Sequence, residues 1–298
     1  MRYIDLDLLV GRSDAQPLID AAEAVRHAIY TAVDAATRKA LIKANRERWV
    51  AFRPVFQNVF GEKCWYTESR NPGTDDDVDH YRPKGRVAER PGHGGYWWEA
   101  LHWRNFRLSC HRANRLRENP ETGDTHGKGD RFPLLDEQQR WRRPGDVCRE
   151  RPTLLDPTDP SDPPLLTFEI DGRVAVAPEH ANDATAARRI EDSRIYLHLD
   201  WPAFVSDRRS LYTTVLLAVI DGDLADAALQ RGEAGARDTL KAIARNLIRM
   251  VQDRAPYSRA ANAYIHRFQD RDWVRRYVLP NVLHLPKPPQ ERPTAPIP

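Results

Sequence analysis

Cysteine is scarce: Cys64, Cys110 and Cys148 are the three thiols in a chain of 298 residues. Three thiols so spaced form no disulfide framework of the kind that staples small secreted domains. Long apolar runs are missing as well. The longest, around residues 215–220, lies inside a helical pattern and is far short of the roughly 20 residues a bilayer-spanning helix needs. The opening Met1-Arg2-Tyr3-Ile4-Asp5-Leu6-Asp7 carries one early Arg, interrupts its apolar residues with two aspartates and precedes no small-residue cleavage site. No signal peptide is read there. These absences predict a cytoplasmic protein without membrane association. A strong positive charge is missing too. A formal net charge of +3 makes no case for nucleic acid by itself, so any such case rests on local charge and chemistry. No internal repeat is present.

What is there is an ordinary globular balance, 41% apolar and 30% charged, well away from the signature of disordered chains. The length admits one large domain or two small ones with a sizeable core. Residues 15–47 read as helix. Leu18, Ala22, Val25, Ile29, Val33 and Ala36 recur at three- and four-residue steps, and Pro17 suits a first turn after Ser13 and Asp14. A second helix is predicted over 49–59, with a boundary near Pro54 and a stop at Gly61. From 62 to 135 periodicity is poor and Gly, Pro, Asp, Asn, His and Trp are frequent. Short strands are expected at 64–66 and 78–81, joined by the turn-rich residues 71–75, with a turn and short helix over 109–117. A stretch this irregular inside a globular chain is usually functional. A Pro/Asp-rich connector at 155–164 precedes a hairpin, 166–170 and 173–177, turning at Asp171-Gly172. Residues 182–268 read as three or four helical segments, and the Pro-rich 286–298 as an extended or disordered tail. The chain thus divides into a helical segment (1–60), an irregular core (61–135), a connector, hairpin and helical bundle (136–280) and a tail (281–298).

The residues with most chemical meaning are Val78-Asp79-His80, Trp103-Arg104-Asn105 and Cys110-His111-Arg112-Ala113-Asn114. Phosphodiester hydrolysis needs a base to deprotonate water, and a divalent cation to neutralise charge on the phosphate and leaving oxygen. His80 suits the base, because an unperturbed imidazole titrates near neutrality. Asp79 offers a carboxylate oxygen and Asn114 an amide oxygen, which with waters and phosphate would suit Mg²⁺. A regular strand puts Asp79 and His80 on opposite faces; a bulged or irregular strand end turns both toward one cleft. Plainer readings stand beside these. Asp-His pairs are often surface or capping residues, and Asn105 and Asn114 suit turns. Arg82-Pro83-Lys84-Gly85-Arg86 is either a solvated loop or a phosphate contact, and Arg112 could line the same groove. Trp97, Trp98 and Trp103 are expected in the core, and Cys148 as a small buried hydrophobe.

The order Asp-His, then Asn, then Cys-x-x-x-Asn resembles the ββα-metal pattern of HNH endonucleases, with nine positions from Asn105 to Asn114. The resemblance implies that Asp79 and Asn114 are ligands of Mg²⁺ or Mn²⁺, that His80 is the general base, and that Asn105 braces the loop carrying it. Arg82, Lys84 and Arg112 become candidate substrate contacts. Flanking residues extend the likeness. Lys63-Cys64-Trp65-Tyr66-Thr67-Glu68, Val78-Asp79-His80-Tyr81-Arg82-Pro83-Lys84, Tyr96-Trp97-Trp98-Glu99 and Phe132-Pro133-Leu134 are similar to PtuB-type HNH proteins of bacterial anti-phage Septu systems and some retrons. So are Leu154-Leu155-Asp156-Pro157 and Arg194-Ile195-Tyr196-Leu197-His198-Leu199-Asp200. This implies a nucleic-acid substrate (DNA, or an RNA such as tRNA) and a PtuA-like ATPase partner. The implied fold is α+β and mostly helical, with a ββα-metal (HNH) core embedded between N-terminal and C-terminal helical segments.

One departure stands out. The family carries two Cys-x-x-Cys pairs around a structural zinc, whereas here they read Cys64-Trp65-Tyr66-Thr67 and Cys110-His111-Arg112-Ala113. Two sulfurs do not fill a tetrahedral site, and His111 is poorly placed beside Cys110. Structural zinc is expected to be absent, with local packing in its place; a retained zinc would use Cys64 and Cys110. The rival functional reading is a catalytically decayed HNH-like module kept as a partner subunit. A third is the structural metal-binding domain of a regulator.

Overall fold

A computed structural model describes residues 1–71, 76–120 and 123–282. The tail expected at 286–298 and residues 72–75 of the turn-rich stretch lie outside the described residues. Four helices lead the chain: α1 (Gln16–Thr31), α2 (Ala35–Ala44), α3 (Arg46–Val50) and α4 (Phe52–Phe60). The single helix expected over 15–47 is therefore broken. Asp34 is the cause: its backbone is extended, and its carboxylate accepts from the Thr37 N–H at 2.7 Å, capping a new helix. Val33, expected on the apolar face, falls in the break and is 90% exposed. The boundary expected near Pro54 falls at Ala51, between α3 and α4, just ahead of that proline. Pro54 sits in the first turn of α4, where the missing N–H is unused anyway. Gly61, at φ 94°, ends that helix as expected.

The strand expected at 64–66 is a turn instead. Cys64 N–H donates to Ser69 O (3.0 Å), Glu68 N–H to Cys64 O (2.9 Å), and Glu68 closes the loop at φ 59°. The strand pair of this region is β1 (Asp77–His80) with β2 (Phe106–Ser109), followed at once by the one-turn helix α5 (His111–Asn114). The pairing is antiparallel and unbroken: Asp77 with Ser109, Val78 with Leu108, Asp79 with Arg107, His80 with Phe106. A small hairpin follows, β3 (Arg117–Glu118) with β4 (Thr125–His126). The Asp171-Gly172 turn joins β5 (Leu166–Phe168) to β6 (Val174–Val176), shorter strands than expected around the expected turn. Helices α6 (Ala184–Tyr196), α7 (Pro202–Gln230), α8 (Ala236–Met250), α9 (Ser258–His266) and α10 (Asp272–Tyr277) complete an α+β, mostly helical architecture. Among the described residues no helix is long and apolar enough to cross a membrane.

Apolar packing holds the β1–β2 pair from both sides. Trp49, Phe52, Phe56, Trp65, Phe106 and Leu108 share one core with α1. Cys64, Tyr66, Cys110 and Ala113 belong to another, built mainly by α7, α8 and α9. A third, smaller core of Tyr81, Tyr96, Trp98, Phe132, Leu134 and Leu154 lies beyond the end of β1. A pair this short has little stability of its own, so these three cores fix where its side chains stand.

Candidate active site around the first strand pair

No bulge interrupts β1, so its side chains alternate: Asp77 and Asp79 on one face, Val78 and His80 on the other. The His80 ring is 5% exposed and packs edge-on against Trp49 (centroids 5.1 Å apart) and Phe106 (5.3 Å). Its Nε2 meets the main-chain oxygen of Ala100 at 2.8 Å. A carbonyl only accepts, so Nε2 carries the proton and Nδ1 keeps its lone pair. The Lys84 ammonium lies 3.4 Å from Nδ1 and 5.0 Å over the Trp49 ring. Burial, joined by that ammonium, pushes the imidazole well below its ordinary pKa. The ring is therefore neutral at neutral pH, with one nitrogen tied down and the other able to take a proton.

Asn105 grips the chain just past His80. Its side-chain oxygen accepts from Arg82 N–H (2.8 Å), and its NH₂ donates to Arg82 O (3.0 Å) and Glu99 O (3.1 Å). Its main-chain oxygen takes the Tyr81 N–H at 2.9 Å. Arg82 and Arg112 meet partners other than His80. Arg82 pairs with the buried Glu150 at 2.9 Å and lies over Phe132, while Arg112 lies over Trp201. Of the three candidate substrate contacts, Lys84 is the one beside His80.

On the opposite face Asp79 is 6% exposed and enclosed by two residues that sequence reasoning missed. Tyr66 Oη donates to Asp79 Oδ2 at 2.9 Å. Lys128 Nζ stands 3.0 Å from Oδ1 and 2.9 Å from Oδ2, and donates to the His80 main-chain oxygen at 2.6 Å. Tyr66 lay inside a motif already singled out. Lys128 had one weak signal, a lone lysine between Gly127 and Gly129. Those glycines place it. Lys128 N–H donates to Ala113 O (3.2 Å) and Gly129 N–H to Asn114 O (2.7 Å), which closes the end of α5. Gly127 sits at φ 146°, and a Cβ there would collide with the Arg115 main-chain oxygen. Gly127→Ala is accordingly expected to cost about 1–3 kcal/mol through backbone strain and overpacking. Gly123→Ala, which meets nothing within 4 Å, should cost less; thermal melting of the two variants provides the comparison.

Asn114 meets Asp77 rather than Asp79. Its NH₂ donates to Asp77 Oδ2 at 3.0 Å, which turns its carbonyl oxygen away from that carboxylate. His111 Nε2 (3.3 Å) and the Arg115 guanidinium (3.4 Å) also surround Asp77. The structure thus gathers Asp77, Asn114 and His111 at the start of β1, Asp79 with Tyr66 and Lys128 further along the same face, and His80 with Lys84 on the other. The donors left for a cation are the Asn114 amide oxygen and the part of Asp79 not taken up by its two hydrogen bonds, from Tyr66 and Lys128, and by the ion pair with the same ammonium. Oxygen donors of this kind are the chemical type preferred by an ion that keeps most of its ligands as water and phosphate, such as Mg²⁺.

Cys64 and Cys110 are buried together, and Thr67 Oγ1 lies 4.0 Å from the Cys110 sulfur and 2.8 Å from Ser69 Oγ. Pairing with Cys64 and burial push the Cys110 thiol well up. His111 turns toward Asp77, and Ala113 is packed in the core. Among the described residues no group of three or more His, Cys, Asp or Glu side chains is placed to hold a metal ion. Cys148, expected to be buried, is exposed, with its sulfur 3.7 Å from the Arg82 guanidinium.

No protein-family model matches the chain. It is 31% identical over 123 residues to the Septu protein PtuB of Bacillus mycoides strain KBAB4. The match covers 40% of this chain and 38% of that protein, so the chain spans well under two thirds of the relative it matches.

Proposed function

We propose that the chain is a metal-dependent endonuclease of the HNH type, the nuclease of an anti-phage system that works with a PtuA-like ATPase. The observation that carries this reading is His80: a neutral imidazole with Nε2 bound to Ala100 O, Nδ1 carrying a lone pair, and the following residues braced by Asn105. The order β1, β2, α5 supports it, with the oxygen donors Asp79 and Asn114 on the first strand and the helix. The similarity to a Septu protein supports the biological setting and the partner.

His80 takes the proton of the attacking water at Nδ1. Lys84, beside that nitrogen, disfavours a resting imidazolium and offers positive charge to a phosphate oxygen. Because His80 is the last residue of β1, a phosphate laid across the strand end can meet groups from both faces. Asp79 and Asn114 would hold Mg²⁺ or Mn²⁺, which when bound supplies neutralising charge to the phosphate and leaving oxygen. One observation favours the rival reading of a decayed binding module: Asp79 and His80 are almost wholly enclosed.

The test is incubation of the protein, with and without the ATPase, with plasmid DNA and with tRNA, under Mg²⁺, Mn²⁺ and chelator. Cleavage of at least one substrate that needs the cation is expected. No cleavage under any condition, with partner binding intact, would leave the binding module.

A further inference from the structure

We propose that Lys128 is a positioning residue that keeps the cation site at Asp79 electrically neutral in the free protein, so that a divalent cation binds tightly only together with a phosphate. The proposal rests on the reading of Asp79 and Asn114 as the cation's ligands. Three oxygens surround the Lys128 ammonium: both of Asp79 and the main-chain oxygen of His80. The ammonium donates to Asp79 Oδ1 and to the His80 main-chain oxygen, and Oδ2 lies 2.9 Å away in the same ion pair, so the charge is fixed in place. Its side chain is fully buried, where water screens little.

The charges follow directly. Asp79 contributes −1, Lys128 +1 and Asn114 nothing. The neighbouring Asp77 is matched by Arg115 and by the His111 and Asn114 donors. A divalent ion reaching Asp79 therefore meets a carboxylate already neutralised, and a fixed positive charge within a few ångströms. A phosphate brings the missing negative charge, so each ligand should strengthen the other's binding by the same factor. Lys128 also joins the two donors mechanically. Its own N–H and that of Gly129 hold the Ala113 and Asn114 carbonyls while its ammonium holds Asp79, so the end of α5 and β1 are tied through one residue.

Mn²⁺ titration of the free protein, read from the EPR signal of unbound Mn²⁺, tests this without any cleavage assay. Lys128→Met should bind Mn²⁺ at least about tenfold more tightly than wild type, the scale set by removing one charge a few ångströms away. Lys128→Arg should stay near wild type, and adding Asp79→Asn to Lys128→Met should abolish the gain. Affinity of Lys128→Met no greater than wild type overturns the proposal. Where Lys128→Met does not melt cooperatively, His80→Ala protein is titrated with Mn²⁺ alone and with single-stranded DNA or RNA oligonucleotides. A tightening of about tenfold or more with one oligonucleotide, lost on adding Asp79→Asn, is expected for ligands that help one another through charge; equal affinity with and without both overturns it. The nuclease reading fails separately, by absence of wild-type cleavage, whatever these binding curves show.

Discussion

Replacing His80 with alanine is expected to lower cleavage by roughly a thousandfold, within the 10²–10⁴ that a positioned general base contributes. The neutral imidazole is the group at this site with a nitrogen lone pair to offer, held at rest only by a long 3.4 Å contact from Lys84, and Lys84 cannot stand in, because its ammonium has only protons to offer. The variant also loses a ring wedged between Trp49 and Phe106, so a melting curve must accompany the rates. A space the size of the missing ring would remain beside Ala100 O. Added imidazole should restore part of the lost rate if chemistry was removed, and none if the fold was damaged. Cleavage by His80→Ala within about threefold of wild type would remove the residue from the mechanism, since so small a loss is far below a base's usual share.

What could be read from the sequence was whatever neighbouring residues decide among themselves. Asp171-Gly172 makes its hairpin because two adjacent residues suffice for the turn. Gly61 ends α4 because its backbone enters a region other residues avoid. Asp34 was equally local and was overlooked: apolar spacing through Val33 suggested a continuous helix, while a capping carboxylate one residue later broke it. Residues 64–66 failed for another reason. Cys, Trp and Tyr favour strands, yet the Trp65 N–H is taken by Leu108 O, and the loop closes on Glu68, whose carboxylate is held by α9. No window around position 65 contains those partners.

The same limit governed the candidate site. Asn105 stood out by its spacing, but its bonds to Arg82 exist only once β1 and β2 pair. The regular register separates Asp79 from His80 by a strand's thickness, as alternation requires. The partners of Asp79 are Tyr66, from a turn, and Lys128, from beyond a hairpin, 49 residues away. Burying a carboxylate demands such partners, which a reader of the sequence can anticipate without being able to name them. The two lost cysteines were visible. The Thr67 hydroxyl beside Cys110 and the pairing of Cys64 with Cys110 were not.

Glu68→Ala is expected to destabilise the protein by about 3–5 kcal/mol, the cost of stranding a buried charge, out of a total that is ordinarily only about 5–15 kcal/mol. The Lys63 ammonium, 1% exposed, donates to Glu68 Oε1 (2.9 Å), Ala255 O (2.8 Å) and Ser258 Oγ (3.1 Å). Glu68 also accepts from Ser258 Oγ (2.9 Å) and Arg259 N–H (3.0 Å), and the Met1 amine lies 3.5 Å away. Removing the carboxylate leaves a buried cation and a main-chain donor without their acceptor. Replacing the pair together, Lys63→Met with Glu68→Leu, should cost much less, because both charges then leave the interior. Burial alone would raise the Glu68 pKa, but the Lys63 ammonium and the Met1 amine outweigh it and hold the carboxyl well below its ordinary 4.5. A depressed carboxylate stabilises the fold above its unfolded value, and that contribution is lost as pH falls toward the folded one. Urea unfolding should therefore show wild type and Glu68→Ala far apart at neutral pH and converging below about pH 4.5. A constant gap across that range, or a neutral-pH difference under about 1 kcal/mol, would place this network outside the interactions that hold the fold. The consequence reaches the site, because Glu68 anchors the loop from which Tyr66 donates to Asp79.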